Sequence, residues 1–88
     1  MKMIEPHHII IIFNSLHRVM LAELRLQAHF PLLLMPVPRA LSADCGMVIR
    51  IDDKDCDEVV ALLQKEQLSP FTTYRLVGKE FELLGEFP

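Results

Sequence analysis

The stretch that decides the fold is residues 9–37, IIIIFNSLHRVMLAELRLQAHFPLLLMPV. It begins with Ile9–Phe13, a run that is apolar at every position and has the length of a strand. Such a run is typical of a strand in the middle of a sheet, covered on both faces. Asn14 and Ser15 follow, and either side chain can accept a hydrogen bond from the first amides of a helix. The stretch therefore predicts a central strand followed directly by a helix.

The next residues predict a helix and a second strand. Leu16–His29 lacks Gly and Pro and is rich in helix formers, and Pro31 ends this helix. Leu32–Val37 has the composition of a strand. Because Pro36 and Pro38 have no N–H to donate, we expect this strand at a sheet edge.

The second half of the chain predicts two more strands around one more helix. In chain order these are the strand Met47–Ile51, a helix from a cap at Asp52 or Asp53 to about Gln67, and the strand Phe71–Val77. The tail, residues 78–88, is apolar enough to dock on the domain, but its position is not predicted.

The order β-α-β-β-α-β is typical of an α+β ferredoxin-like two-layer sandwich. Right-handed crossovers then give an antiparallel sheet of four strands in the order 4-1-3-2. A chain of 88 residues has room for one core only. We therefore expect a single domain over residues 1–88, with its core in residues 9–77.

Composition excludes several classes of protein. Hydrophobic residues make up 51% of the chain, yet no run approaches the roughly 20 apolar residues that a membrane span needs. The charged and polar residues 5–8 also interrupt the region where a signal peptide would be apolar. A net charge of −3 argues against nucleic acid as a partner. Two cysteines outside a Cys-x-x-Cys pair, with no secretory signal, indicate reduced thiols in the cytoplasm.

The first predicted helix is apolar over more of its circumference than one sheet can cover. Leu21 and Leu24 belong to this surplus, which either the tail or a partner must cover. We favour self-association and predict a homodimer through this helix.

Cys45 is the residue most suited to chemistry. It stands in a polar loop before Gly46, which carries no side chain to shield the sulfur. Arg39 and the start of the first helix would favour a thiolate, whereas Asp44 would oppose it. The alternative is an incidental loop cysteine.

Cys56 is interpreted differently, because it begins an apolar stripe with Val59, Val60 and Leu63 on the second helix. A free cysteine in such a stripe behaves as a small hydrophobic residue. The third strand separates the two sulfurs by roughly 15 Å, so a disulfide between them is not expected.

The histidines do not predict a metal site. His7 and His8 would point to opposite faces of a strand, and His17 and His29 lie at opposite ends of a helix. A site formed by Cys45 with His17 across the loop rim is the alternative. We expect no bound metal and no cofactor.

The segment 34–50, LMPVPRALSADCGMVIR, resembles the signature of the putative selenium/sulfur carrier protein-like family. The shared features are an apolar strand, Pro-x-Pro-Arg, Ser-x-x-Cys-Gly and a second strand that ends in Arg. The segment 13–17 is similar to the first turn of that family, with Asn14 where a histidine is expected. The resemblance covers residues 9–77.

The resemblance implies a carrier function. A cysteine desulfurase or a selenium-delivery enzyme would hand sulfur or selenium to Cys45, which would carry it to an acceptor as a persulfide or perselenide. Arg39 and Arg50 would steady the anion or steer docking. The residues implied to support Cys45 are Asn14, Ser15, His17, Arg39, Ser42, Gly46 and Arg50.

Two other functions stay open from the sequence. One is a regulatory module that binds an effector, and the other is a protein-interaction module in which Cys45 is only structural. No nucleophile with its base and orienting group can be assembled from these residues. We therefore expect a carrier or a binding module and not a stand-alone catalyst.

Overall fold

The strands of the computed structural model form one antiparallel sheet through backbone hydrogen bonds. The structure describes residues 4–41 and 45–88. These residues contain β1 (His8–Phe13), α1 (Leu16–Leu26), β2 (Leu32–Pro36), β3 (Met47–Asp52), α2 (Cys56–Lys65), β4 (Phe71–Val77) and β5 (Glu80–Phe87). All four predicted strands and both predicted helices are confirmed as elements, with ends that differ by a few residues.

The ferredoxin-like prediction of four strands in the order 4-1-3-2 is wrong. The sheet has five strands in the order β2-β3-β1-β4-β5, so β4 is an inner strand and β5 forms the edge. The tail pairs with β4 along its whole length, from Val77 opposite Glu80 to Phe71 opposite Phe87. Gly78, at φ +65°, makes the tight turn between them. The apolar tail therefore extends the sheet.

The ends of the helices differ from the prediction for local reasons. α1 ends at Leu26, and the His29 amide then donates to the Leu26 carbonyl three residues back, which is the tighter 3-10 pattern. A short 3-10 turn, Asp53–Asp55, precedes α2, so this helix begins at Cys56.

Both helices pack on one face of the sheet. Ile9, Ile11 and Phe13 of β1 point to this face and are almost completely buried. Val19 of α1 and Val59 of α2 belong to the same cluster. We call this cluster the helix-side core.

The opposite face carries no helix of the described residues, and we call it the helix-free face. Its side chains include Leu33 and Met35 of β2, Val48 of β3, Ile10 of β1, Tyr74 of β4 and Leu83 of β5. Ile10, Met35 and Val48 are buried there in a second, smaller apolar cluster. Because β1 is apolar on both faces, it separates two clusters.

Neither helix is long and apolar enough to cross a membrane; α1 has 11 residues and α2 has 10, and this holds for the described part of the chain.

Candidate functional site

Cys45 lies immediately before β3, with its sulfur directed at two backbone carbonyl groups. The thiol donates to the carbonyl oxygen of Met47 (Sγ···O 3.1 Å) and points to that of Phe13 (3.8 Å). The side chain is half-buried and packs against the helix-side core. The sulfur therefore joins the start of β3 to the end of β1, at the rim where α1 begins.

The backbone of Gly46 makes this position possible. Gly46 has φ +75°, which L side chains rarely adopt, and its carbonyl accepts from the Val37 amide at 2.9 Å. Among the described residues other than Cys45 and Met47, no atom lies within 4 Å of a Cβ added at Gly46. Gly46 is therefore needed for its backbone conformation.

Ser15 and Asn14 lie on the same rim but differ in their contacts. The Ser15 hydroxyl oxygen accepts from the Arg18 amide at 3.2 Å and caps α1. Asn14 is exposed. The hydrogen bond of Ser15 therefore serves to cap α1. Asn14 and Ser15 both lie on the rim because they connect Phe13, whose carbonyl group faces the Cys45 sulfur, to the start of α1.

The other predicted neighbours are on the loop and on α1. Arg39 is exposed in the turn that follows β2, and Ser42 lies outside the described residues. His17 is exposed on α1, where it lines a groove of about 300 Å³ with Met20 and Leu24. These positions leave Arg39 and His17 accessible to a docking partner.

Arg50 is not brought to Cys45. It lies opposite Ile10 and Leu33 in the sheet register, so it belongs to the helix-free face, whereas Cys45 packs on the helix-side core. Arg50 lines a small pocket with Asp52 at the far end of β3. A direct interaction of Arg50 with the Cys45 sulfur is therefore not supported by the structure.

Cys56 begins α2 at the other end of β3 and lines a separate cleft of about 450 Å³ with Arg75. It is half-buried and packs against the helix-side core, as its stripe predicts. Burial raises the pKa of the Cys56 thiol, and the nearby Asp57 carboxylate raises it further. The thiolate of Cys56 is therefore disfavoured, which makes this sulfur poorly suited to nucleophilic attack.

The sequence analysis missed a cluster of His7, His8 and Asp52, whose candidate ligand atoms lie within 4.8 Å of one another among the described residues. The two rings are not on opposite faces of a strand, because β1 starts at His8 and His7 is in the preceding turn. Their centroids are 4.1 Å apart. The sequence could have revealed this cluster only if the start of β1 had been placed at His8.

The hydrogen bonding of His8 does not fit a metal ligand. The Glu5 amide donates to Nδ1 of His8 at 2.9 Å, so the proton of the neutral ring is on Nε2. Nε2 is the atom that faces Asp52, at 3.8 Å, and its lone pair is then not available to a metal. The arrangement instead ties the segment before β1 to the sheet.

The comparison with known families identifies the chain. The family described as "Putative Se/S carrier protein-like" matches residues 8–75, from the start of β1 into β4, and this range includes Cys45 and its loop. No curated protein and no solved structure shows a significant match to the chain. Because the match covers more than half of the sequence, the chain belongs to this Se/S carrier protein-like family.

Proposed function

We propose that this protein carries sulfane sulfur or selenium on Cys45, as a persulfide or perselenide, from a donor enzyme to an acceptor. The family match carries the proposal, since it spans the Cys45 loop and the family is named for this role. The incomplete burial of the Cys45 thiol supports it, because transfer needs a sulfur that a second protein can reach.

The loading step is a thiol exchange. The Cys45 thiolate attacks the terminal sulfur of a persulfide on the donor enzyme, and the S–S bond of the donor breaks. The donor thiolate leaves and takes up the proton that Cys45 has lost. Unloading is the same exchange with an acceptor thiol, for which Cys45 is the leaving group. Sulfur and selenium follow the same course.

The structure constrains the loaded form. A new S–S bond is about 2 Å long, and the Met47 oxygen lies only 3.1 Å from Sγ. The outer sulfur therefore cannot occupy the direction in which the thiol now donates. It must project away from the Met47 carbonyl group.

An apolar stripe on α1 is suited to docking the donor enzyme. Leu16, Met20 and Leu24 are each about half exposed and follow one another by one helical turn. The stripe starts at the rim that holds Cys45.

The homodimer through α1 stays a prediction. Of the two residues named for it, Leu24 is exposed, whereas Leu21 packs against the helix-side core.

Two free thiols fit a reducing compartment, so we place the function in the cytoplasm.

The test is intact mass after incubation with a cysteine desulfurase and cysteine. We expect adducts of one or more sulfur atoms that disappear in Cys45→Ser and persist in Cys56→Ser. Both variants keep one thiol, so they form a matched pair. Adducts that follow Cys56, or no adduct with any sulfur or selenium donor, would refute the carrier function and leave a binding module.

A further inference from the structure

The turn before β1 is closed by a backbone and by a side-chain hydrogen bond. Residues 5–8 read Glu-Pro-His-His, and the His8 amide donates to the Glu5 carbonyl at 2.9 Å. Proline at the second position favours such a turn, because its ring fixes the backbone angle that this position needs. The Glu5 amide donates in return to Nδ1 of His8, also at 2.9 Å. His8 is therefore both the end of the turn and the acceptor that holds its start.

The turn holds an apolar residue on the sheet. Ile4, directly before the turn, packs against the smaller apolar cluster of the helix-free face. The Asp53 amide donates to the His7 carbonyl at 2.8 Å, which ties His7 to the residue that follows β3. Residues 4–6 lie on the far side of this tie. Their attachment to the sheet therefore depends on the Glu5–His8 turn and on the packing of Ile4.

His8 is buried in surroundings that favour its neutral form. Only 8% of the residue is exposed, and the sheet register places it opposite Asp52. The titratable and charged groups around it are Glu5 and His7 in the turn, Arg50 and Asp52 on β3, and Tyr74 on the same face of β4. Burial is the largest influence and, with the positive charges of Arg50 and His7, it holds the pKa of His8 below 6.5.

We propose that residues 4–6 form a pH-sensitive latch: protonation of His8 opens the turn, and Ile4 leaves the smaller apolar cluster. A neutral histidine ring has one nitrogen that accepts, whereas both nitrogens of the protonated ring are donors. Protonated Nδ1 would therefore face the Glu5 N–H as a second donor, and the hydrogen bond between them is lost.

The other contacts of the turn decide how far it opens. The Asp52 carboxylate faces Nε2 at 3.8 Å, on the other side of the ring, so it does not replace the lost bond at Nδ1. His7 stays tied to Asp53 through its carbonyl group, which does not titrate. Only the residues before His7 are released. The latch would operate whether or not Cys45 carries sulfur.

The pH range of opening follows from the two pKa values of His8. In the open form the ring is solvated and has its ordinary pKa near 6.5, whereas in the closed form the pKa is lower. The open form therefore binds more protons at a pH between these values. Its population relative to the closed form should rise by up to about tenfold for each pH unit below 6.5, until the pH reaches the pKa of the closed form.

Amide hydrogen exchange of the full chain, measured by NMR and corrected for the intrinsic effect of pH, tests this local opening. We expect protection of the Glu5 amide to fall by up to about tenfold per pH unit below 6.5, while protection of the Asp53 amide stays constant. Nuclear Overhauser contacts between Ile4 and the cluster should weaken over the same range.

Two variants of neighbouring histidines form a matched pair. His8→Asn keeps an acceptor near the position of Nδ1 but does not titrate, so its protection at Glu5 should not change with pH. His7→Gln keeps His8 and removes one of the positive charges that disfavour its protonation. Opening should therefore persist in His7→Gln and begin at a higher pH.

Several results would overturn the latch. Glu5 protection that is independent of pH in the wild type would do so, as would the wild-type pH dependence in His8→Asn. Equal loss of protection at Glu5 and Asp53 would indicate general unfolding instead. Ile4 contacts that persist after Glu5 is released would refute the departure of Ile4. If His8→Asn does not fold, the NMR titration of the wild-type His8 ring replaces it, and a midpoint different from that of the Glu5 protection would refute the role of His8.

Discussion

Ser15→Ala separates a structural role from a chemical one at the rim beside Cys45. In the structure the Ser15 hydroxyl accepts from the Arg18 amide at 3.2 Å, and α1 has no acidic residue in its first turn to compensate. Alanine would leave this amide without its cap. We therefore expect a less stable protein whose Cys45 still accepts sulfur.

The magnitude follows from the cap. Removal of a serine cap lowers the free energy of unfolding by about 1 kcal/mol, within a range of about 0.5–2 kcal/mol. For a domain of this size, about 1 kcal/mol lowers Tm by roughly 4–8 °C. Ser15→Asp keeps an acceptor and adds a negative charge at the helix N-terminus, which stabilises a helix by about 0.3–1 kcal/mol. It should therefore be at least as stable as the wild type.

Urea unfolding followed by circular dichroism measures these differences, with Asn14→Ala as the matched control. Asn14 is the exposed neighbour of the cap, so its replacement should leave the midpoint unchanged. The reasoning fails if Ser15→Ala unfolds at the wild-type midpoint, or if Ser15→Asp is destabilised as strongly as the alanine variant. Loss of sulfur loading in folded Ser15→Ala would instead give the hydroxyl a chemical role.

Three further predictions concern His8, Gly46 and Cys56. Burial, together with the positive charges of Arg50 and His7, holds the pKa of His8 below 6.5 in the folded chain. Below pH 6.5 the unfolded chain therefore binds more protons than the folded chain, so the contribution of neutral His8 to stability is complete above pH 6.5 and decreases as the pH falls toward the pKa of the folded state. Urea midpoints should decrease over the same pH range, and the decrease should be smaller in His8→Gln. Gly46→Ala should lower the free energy of unfolding by about 1–2 kcal/mol, because the positive φ disfavours alanine, and Gly46→Asn should lower it less in the same unfolding assay. In Cys45→Ser, iodoacetamide should modify Cys56 more slowly in the folded protein than in urea, because the pKa of this thiol is raised by burial; equal rates would contradict that shielding.

Local patterns were sufficient to predict most elements of this fold. The apolar run of β1, the serine at the start of α1 and Pro31 after it each act within a few residues, so they are visible in the sequence. The place of Cys45 in front of β3 follows from the same local reasoning. The family resemblance then supplied the chemistry that spacing alone could not.

Positions that depend on contacts between distant residues could not be predicted from the sequence. The tail could not be placed, because only pairing with β4 makes it a strand, and this fifth strand overturns the ferredoxin-like prediction. Arg50 was grouped with Cys45 because the family resemblance implied it. The register of β3 places Arg50 with Ile10 and Leu33, while the turn at Gly46 directs the sulfur to the helix side.

The sequence by itself determined the chain order of most strands and helices and the candidate thiol. The tertiary structure decided which face of the sheet each side chain occupies and which strand lies at its edge. The physical reason is that strand and helix patterns arise from near neighbours, whereas the facing of Cys45 and Arg50 depends on backbone turns and on pairing across the sheet. The large share of apolar residues in the chain also has a tertiary explanation, because β1 separates two apolar clusters, the helix-side core and the smaller cluster on the helix-free face.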